Sequence, residues 1–279
     1  MALTDETLQA LEDKAREIRI TVLRMLNAAK SGHTSGPLGM ADIFTALYFH
    51  SAKHDSKNPD WAARDRIVLS NGHITPIRYA TMAHAGYFPI EECLTLRKLG
   101  SRLQGHPERE KLPGLESTSG PLGSGLSQAA GMAYALRMDK NNARVFCLTS
   151  DGEQQEGNTW EGAMFAGKYR LYNLIQIMDR NNIQIEGNTE DIMPLEPLAD
   201  KYRAFNWHVI EIDGHNMRDI IDAIDEAKAV REKPTLILAR TIPGKGVKDI
   251  EYDYKWHGKP PSDEELVRFI EQVEATKNV

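Results

Sequence analysis

Residues Arg144 to Asn182 read RVFCLTSDGEQQEGNTWEGAMFAGKYRLYNLIQIMDRNN. Two apolar, β-branched runs, Arg144 to Thr149 and Leu174 to Asp179, enclose a helix-patterned stretch from Thr159 to Lys168. A strand, a helix and a second strand in that order is how a parallel pair is written, because parallel neighbours need a crossover that also covers the sheet face. Working outward, further strands are expected at Arg66 to Leu69, Trp207 to Ile212 and Thr235 to Ala239, each followed by Gly, Asn, Asp or Ser within a few residues. Helical periodicity fits Glu6 to Ala29, Met40 to Tyr48, Ser124 to Met138, Met217 to Val230 and Ser262 to Val273, the last opened by Ser262 with Glu265 three positions on as a capping box. The expected fold is α/β, an open, mostly parallel sheet with helices on both faces, and residues 1–279 are read as one domain. Only Lys98 to Gly125 is rich in Gly, Pro and Ser for long enough to be an extended loop, and such loops tend to carry function.

Composition narrows the function classes. A chain of 279 residues, 41% hydrophobic and 27% charged, can bury a real core and lies far from the composition of disordered chains. Lys plus Arg number 34 against 40 for Asp plus Glu, a net charge of −6, which is the wrong sign for binding a nucleic-acid backbone by basicity. The amino terminus is acidic and amphipathic, and no run approaches the ~18 apolar residues of a membrane span, so the expectation is a cytoplasmic chain with neither nucleic acid nor membrane as partner. Cys93 and Cys147 offer neither a disulfide framework nor a zinc-ligand spacing.

In an open parallel sheet, ligands gather outside the carboxyl ends of the strands. The residues there are Ser70-Asn71-Gly72-His73, Ser150-Asp151-Gly152-Glu153, Asp179-Arg180-Asn181-Asn182, and Thr241-Ile242-Pro243-Gly244 leading toward His257. Five of the nine histidines touch a glycine: His33, His73, His106, His215 and His257. Glycine lets a loop turn sharply and present its neighbour. His215 also reads as part of a plain strand-to-helix turn with an N-cap, and His50, His54, His84 and His208 have no such context. Between Gly152 and Asn181 lie 28 residues (153–180), the length of a helix and a strand, so Asp151 and Asn181 are expected at neighbouring strand ends. An Asp oxygen, an amide oxygen and a backbone carbonyl suit Mg²⁺ or Ca²⁺ with room for diphosphate oxygens, and the Gly152 amide favours a phosphate. Taken alone, that pattern equally fits a structural pair of turns.

The set as a whole resembles transketolase. Asp151-Gly152 with the distant Asn181-Asn182 is similar to the metal-diphosphate motif of thiamine-diphosphate enzymes. Ser31-Gly32-His33 with Gly36-Pro37-Leu38-Gly39-Met40, Asp65-Arg66 through His73, Gly105-His106-Pro107-Glu108, Thr118 through Gly125, and Trp256-His257-Gly258-Lys259-Pro260 resemble the family's remaining loops in the family's order. The family's glycine before Asp-Gly is Ser150 here. The resemblance implies that Asp151, Asn181 and the backbone oxygen of Ile183 hold the divalent ion, and that His73 and Gly152 meet the diphosphate. Gly120, Pro121, Leu122, Ile185 and Ile242 would line the thiamine diphosphate, while His33, His106 and His257 would face the reacting carbon and the sugar hydroxyls. His257 would also border the cofactor, and Glu156 would stand at the subunit interface.

Imidazole suits that task, since cleaving a ketose beside its carbonyl requires proton transfers near neutral pH. Whole transketolases continue into a pyrimidine-binding and a C-terminal domain. The resemblance therefore implies a split enzyme, active on sugar phosphates only with a second subunit that carries those domains, in an assembly with two copies of each chain. The pentose phosphate pathway and the breakdown of an unusual sugar both remain open as its setting. Deoxyxylulose-phosphate synthase and the alpha chains of 2-oxo acid dehydrogenases are the enzyme alternatives, against which the Gly-His-Pro-Glu, Gly-Pro-Leu-Gly and Trp-His-Gly segments argue. A non-catalytic cofactor-binding subunit is the alternative of a different class.

Overall fold

The computed structural model describes residues 3–276. Its strands are β1 (Arg66–Leu69), β2 (Val145–Ser150), β3 (Leu174–Arg180), β4 (Ile183–Gln184), β5 (Gly187–Asn188), β6 (His208–Asp213) and β7 (Thr235–Arg240). Five of them form one parallel sheet in the order β1-β2-β3-β7-β6, and β4 with β5 makes a small antiparallel hairpin directly after β3. The helices are α1 (Asp5–Ala29), α2 (Ser35–Gly39), α3 (Ala41–Ala46), α4 (Thr75–His84), α5 (Ser124–Met138), α6 (Gly157–Lys168), α7 (Thr189–Ile192), α8 (Leu198–Ala204), α9 (Met217–Ala229) and α10 (Asp263–Ala275).

Alternate residues of each central strand enter different cores. Phe146 and Leu148 pack with Ile18 of α1, Phe44 of α3, Ile77 of α4 and Ile221 of α9, whereas Val145 and Cys147 pack with Ala130 of α5, Ala163 of α6 and Tyr202 of α8. Helices therefore cover both faces, which is why the strands read as continuous apolar runs rather than as alternating ones. Each fully buried Leu, Ile or Phe contributes about 1.5–3 kcal/mol to this sandwich. Register keeps the strand ends level: Ser150 lies opposite Asp179, Asp179 opposite Ala239, and Arg240 opposite both Arg180 and Asp213. All the loops after the strands consequently open on one rim.

The capping box at Ser262 and Glu265 forms as expected and starts α10. The long loop is also found, with no helix or strand between residues 96 and 123. Several elements differ from expectation: α2, α4, α7, α8 and the β4–β5 hairpin fall outside every expected helix or strand. Met40 to Tyr48 is not one helix: Met40 is the junction between α2 and α3, and α3 runs on into a π-helical turn at Leu47–Ser51. Helix α4 was unexpected because nine of its ten residues are buried, which leaves no polar face to write a period. Among the described residues no helix is long and apolar enough to cross a membrane.

Candidate active site

The rim loops are tied together by one buried carboxylate. Glu153 Oε1 accepts from the Ser70 hydroxyl and from the Gly123 amide (2.6 Å), and Oε2 accepts from the Ser150 amide (3.3 Å). Ser70 Oγ in turn accepts from the Gly125 amide at 3.0 Å. The loops approach so closely that a Cβ on Gly125 would lie 2.6 Å from Ser70 Cα, and one on Gly72 would lie 3.1 Å from the Gly120 amide nitrogen. Only glycine fits either place. Ends of β1 and β2 and the start of α5 thus form one rigid floor.

Beside it lies the Asp151 and Asn181 pair. Asp151 is fully buried; its Oδ2 accepts from Arg180 Nη1 (3.0 Å) and from the Asn182 amide (2.6 Å), and its Oδ1 accepts from the Gly152 amide (2.7 Å). The Asn181 amide is oriented from both ends, Nδ2 donating to Asp179 Oδ2 at 2.8 Å and Oδ1 accepting from the Ile183 amide at 3.0 Å. Burial pushes the Asp151 carboxyl up to about 6 against the pull of Arg180, and pushes Asp179 up to about 7, with Asp151 adding to the rise. The pair is therefore short of positive charge even with Arg180 in place, and a divalent cation would supply it. Among the described residues no cluster of three or more His, Cys, Asp or Glu could cage a metal. An ion at Asp151 would draw instead on the hard oxygens of Asn181 and of the Ile183 backbone and on those of a bound ligand, a set that suits Mg²⁺ or Ca²⁺.

Three imidazoles form a triangle on the same rim. Ring centroids are 4.9 Å apart for His33 and His73, 5.3 Å for His33 and His257, and 5.1 Å for His73 and His257. Burial, then the neighbouring His257, Arg97 and His106, lowers His33 to about 4. Burial also lowers His73 and His257, and His106 is lowered by burial and by Arg97. At neutral pH each ring is uncharged and offers one donor and one acceptor. His33 Nδ1, His257 Nδ1, Ser119 Oγ and both side-chain polar atoms of Asn71 are buried without a partner in the chain. Each such atom costs about 1–3 kcal/mol unless water or a ligand satisfies it, so those on this rim are available to a polar ligand.

The remaining expected residues border this ground. His106 is exposed in the wall of an open cleft of about 710 Å³ that it shares with Ser31, Arg97, Gln104, Glu108 and Ser119, and its ring lies 3.8 Å from the Cβ position of Gly120. Leu122 and Ile242 are half-buried, whereas Pro121, Glu156 and Ile185 face outward, Ile185 with 68% of its surface open. The sequence reading missed Arg97, which donates to Ser31 Oγ (2.9 Å) and to the Gly105 carbonyl (3.4 Å). It also missed the bridging parts of Glu153 and Arg180.

Comparison with known proteins decides the family. The model of the family described as "Transketolase, thiamine diphosphate binding domain" matches residues 11–275. This chain is a member of the transketolase family. Among its relatives, the 6-deoxy-6-sulfo-D-fructose transketolase subunit SqwG of Clostridium sp. (strain MSTE9) is 43% identical over 264 residues, covering 95% of this chain and 96% of the relative. One of the apulose-4-phosphate transketolase subunits, from Phocaeicola vulgatus, is 39% identical over 268 residues, covering 96% and 94%. The transketolase from Leishmania mexicana superposes with a TM-score of 0.90 at 35% identity, over 96% of this chain but only 42% of that one. The transketolase chain described here thus has the length of the subunits and spans less than half of that longer solved transketolase.

Proposed function

We propose that the chain is the diphosphate-binding subunit of a split, thiamine-diphosphate-dependent transketolase, which moves a two-carbon ketol unit from a ketose phosphate to an aldose phosphate. The observation that carries this reading is the uncharged histidine triangle standing beside the buried Asp151 and Asn181 pair, in a chain that matches transketolase subunits over nearly their whole length. Asp151, Asn181 and the Ile183 carbonyl would hold Mg²⁺, or Ca²⁺, and His73 and the Gly152 amide would meet the diphosphate. Gly120, Pro121, Leu122, Ile185 and Ile242 would line the cofactor. When bound, thiamine diphosphate supplies the electron sink that stabilises the carbanion. His33, His106 and His257 orient the sugar and move protons: a neutral imidazole nitrogen accepts the hydroxyl proton of the ketose, and the ring N–H donates to a carbonyl oxygen.

The rest of the site would come from a second subunit carrying the pyrimidine-binding and C-terminal domains, in an assembly of two copies of each chain. The outward-facing Glu156, Ile185 and Pro121 support a wall completed by another chain, and Tyr134 and Met138 of α5, Met164 and Phe165 of α6 and Tyr169 just after it put exposed apolar surface there for it to cover. The names of the two subunit relatives support a donor ketose with an anionic end, sulfonate or phosphate. One diphosphate-binding domain in the cytoplasm completes the proposal and fits the two buried, unpaired thiols. The test is reconstitution with a second subunit carrying the pyrimidine-binding and C-terminal domains: ketol transfer by the pair and none by either chain supports the reading, and transfer by the isolated chain overturns it.

A further inference from the structure

His215 does more than turn the chain into α9. Its imidazole is buried and both ring nitrogens are engaged: Nδ1 lies 2.8 Å from Asp42 Oδ2, and Nε2 lies 2.7 Å from the Ile242 amide nitrogen. A backbone N–H can only donate, so Nε2 carries the lone pair and the ring proton sits on Nδ1, toward the carboxylate. Asp42 is gripped from its other side by Arg19, with Nη1 to Oδ1 at 3.1 Å and Nη2 to Oδ2 at 2.6 Å. Burial acts to raise the Asp42 carboxyl, but Arg19 and His215 outweigh it and hold it down to about 2. Asp42 therefore stays ionised and keeps the tautomer of His215 in place.

This buried relay joins two loops of the site. Arg19 Nε donates to the Leu38 carbonyl of α2 at 3.1 Å, and His215 holds the amide of Ile242 after β7. The same loops also touch directly, since the Gly244 amide donates to the Ser35 carbonyl at 2.9 Å and a Cβ on Gly39 would come within 2.9 Å of the Ile242 oxygen. Thr241 is fixed separately by its hydroxyl on Asp179 Oδ1. Both ends of the 241–244 turn are thus anchored to the rim, and the peptide between them is anchored by His215.

We propose that His215 is a positioning residue of the ketol-transfer site: as a tautomer-locked acceptor it sets the plane of the Thr241–Ile242 peptide and thereby the place of the Ile242 side chain against the bound cofactor. The proposal rests on the reading of Ile242 as part of the cofactor wall. Two variants separate positioning from packing. His215→Asn keeps a donor for Asp42 and loses the acceptor for Ile242, whereas His215→Gln brings a side-chain oxygen near the Nε2 position. In the full chain, hydrogen exchange of residues 240–246 should quicken ~10-fold or more in His215→Asn with β2 and α5 unchanged, and return close to wild type in His215→Gln. In the reconstituted enzyme, kcat should fall ~10–100-fold in His215→Asn with the donor KM within about 3-fold, and recover in His215→Gln. Wild-type protection of 240–246 in the Asn variant, or equal losses in both variants, overturns the proposal. Should a variant fail to fold, the ring ¹⁵N spectrum of the wild-type chain decides: a proton on Nδ1 is expected, and an Nε2–H ring contradicts the relay. Absence of ketol transfer in the wild-type complex would count against the proposed function alone, because the exchange and ¹⁵N measurements need no activity.

Discussion

Acid should weaken the histidine triangle by an amount that one substitution reveals. His33 titrates at about 4 in the folded chain, against 6.5 for a free imidazole. Between those values the unfolded chain binds the proton and the folded one refuses it, so stability is full above pH 6.5 and is lost as pH falls toward 4. The gap of 6.5 against about 4, at about 1.36 kcal/mol per pH unit, sets a limit of about 3 kcal/mol, of which about 2 kcal/mol is gone by pH 5. Asp151, Glu153 and Asp179 act in the opposite sense, because their raised carboxyls take up protons more readily folded than unfolded. The overall pH curve therefore mixes signs, and the informative quantity is the difference between wild type and His33→Gln. Urea unfolding of the intact chain, followed by tryptophan fluorescence at pH 8 and pH 5, should show wild type losing about 2 kcal/mol more than the variant. Equal losses would refute the claim that His33 is held neutral by burial and by its neighbours.

Three further outcomes are expected. Asp151→Ala should abolish Mg²⁺-dependent binding of thiamine diphosphate to the assembled enzyme, as read by calorimetry, and undiminished affinity would remove Asp151 from the metal site. His106→Ala should leave cofactor affinity within a few-fold and lower turnover by ~10²–10⁴, while His73→Ala should weaken the cofactor first; steady-state kinetics beside a cofactor titration would expose exchanged roles. Gly125→Ala should destabilise the chain by at least about 2 kcal/mol in urea melts, because its new methyl meets the Ser70 backbone, and a loss under about 0.5 kcal/mol would show that the rim is looser than drawn.

What was legible follows from which residues repeat a pattern. Strand β1 falls on its expected residues and β2 within one, since strands buried on both faces print as unbroken apolar runs. The neighbourhood of Asp151 and Asn181 was readable because a helix and a strand fill the 28 residues between Gly152 and Asn181. Helix α4, buried nearly all round, printed no period. Glu153, Arg97 and Arg180 look in sequence like any of the chain's many charged residues, and only the meeting of distant loops gives them partners. His215 was read as a turn, which is half of what it does: Asn216 beside it is the N-cap of α9, but its own ring reaches Asp42, 173 positions away in the chain.

The proposed function makes this chain the diphosphate half of a divided active site. The direct measurement is ketol transfer from a panel of ketose phosphates and sulfonated ketoses by the purified chain, by the proposed second subunit and by the two mixed, with the mass of the mixture followed by light scattering. Neither chain alone should transfer the ketol unit, and mixing should bring both transfer and a mass equal to two copies of each. Activity in the isolated chain, or a stable mixed complex inert toward every donor, would contradict the proposed function.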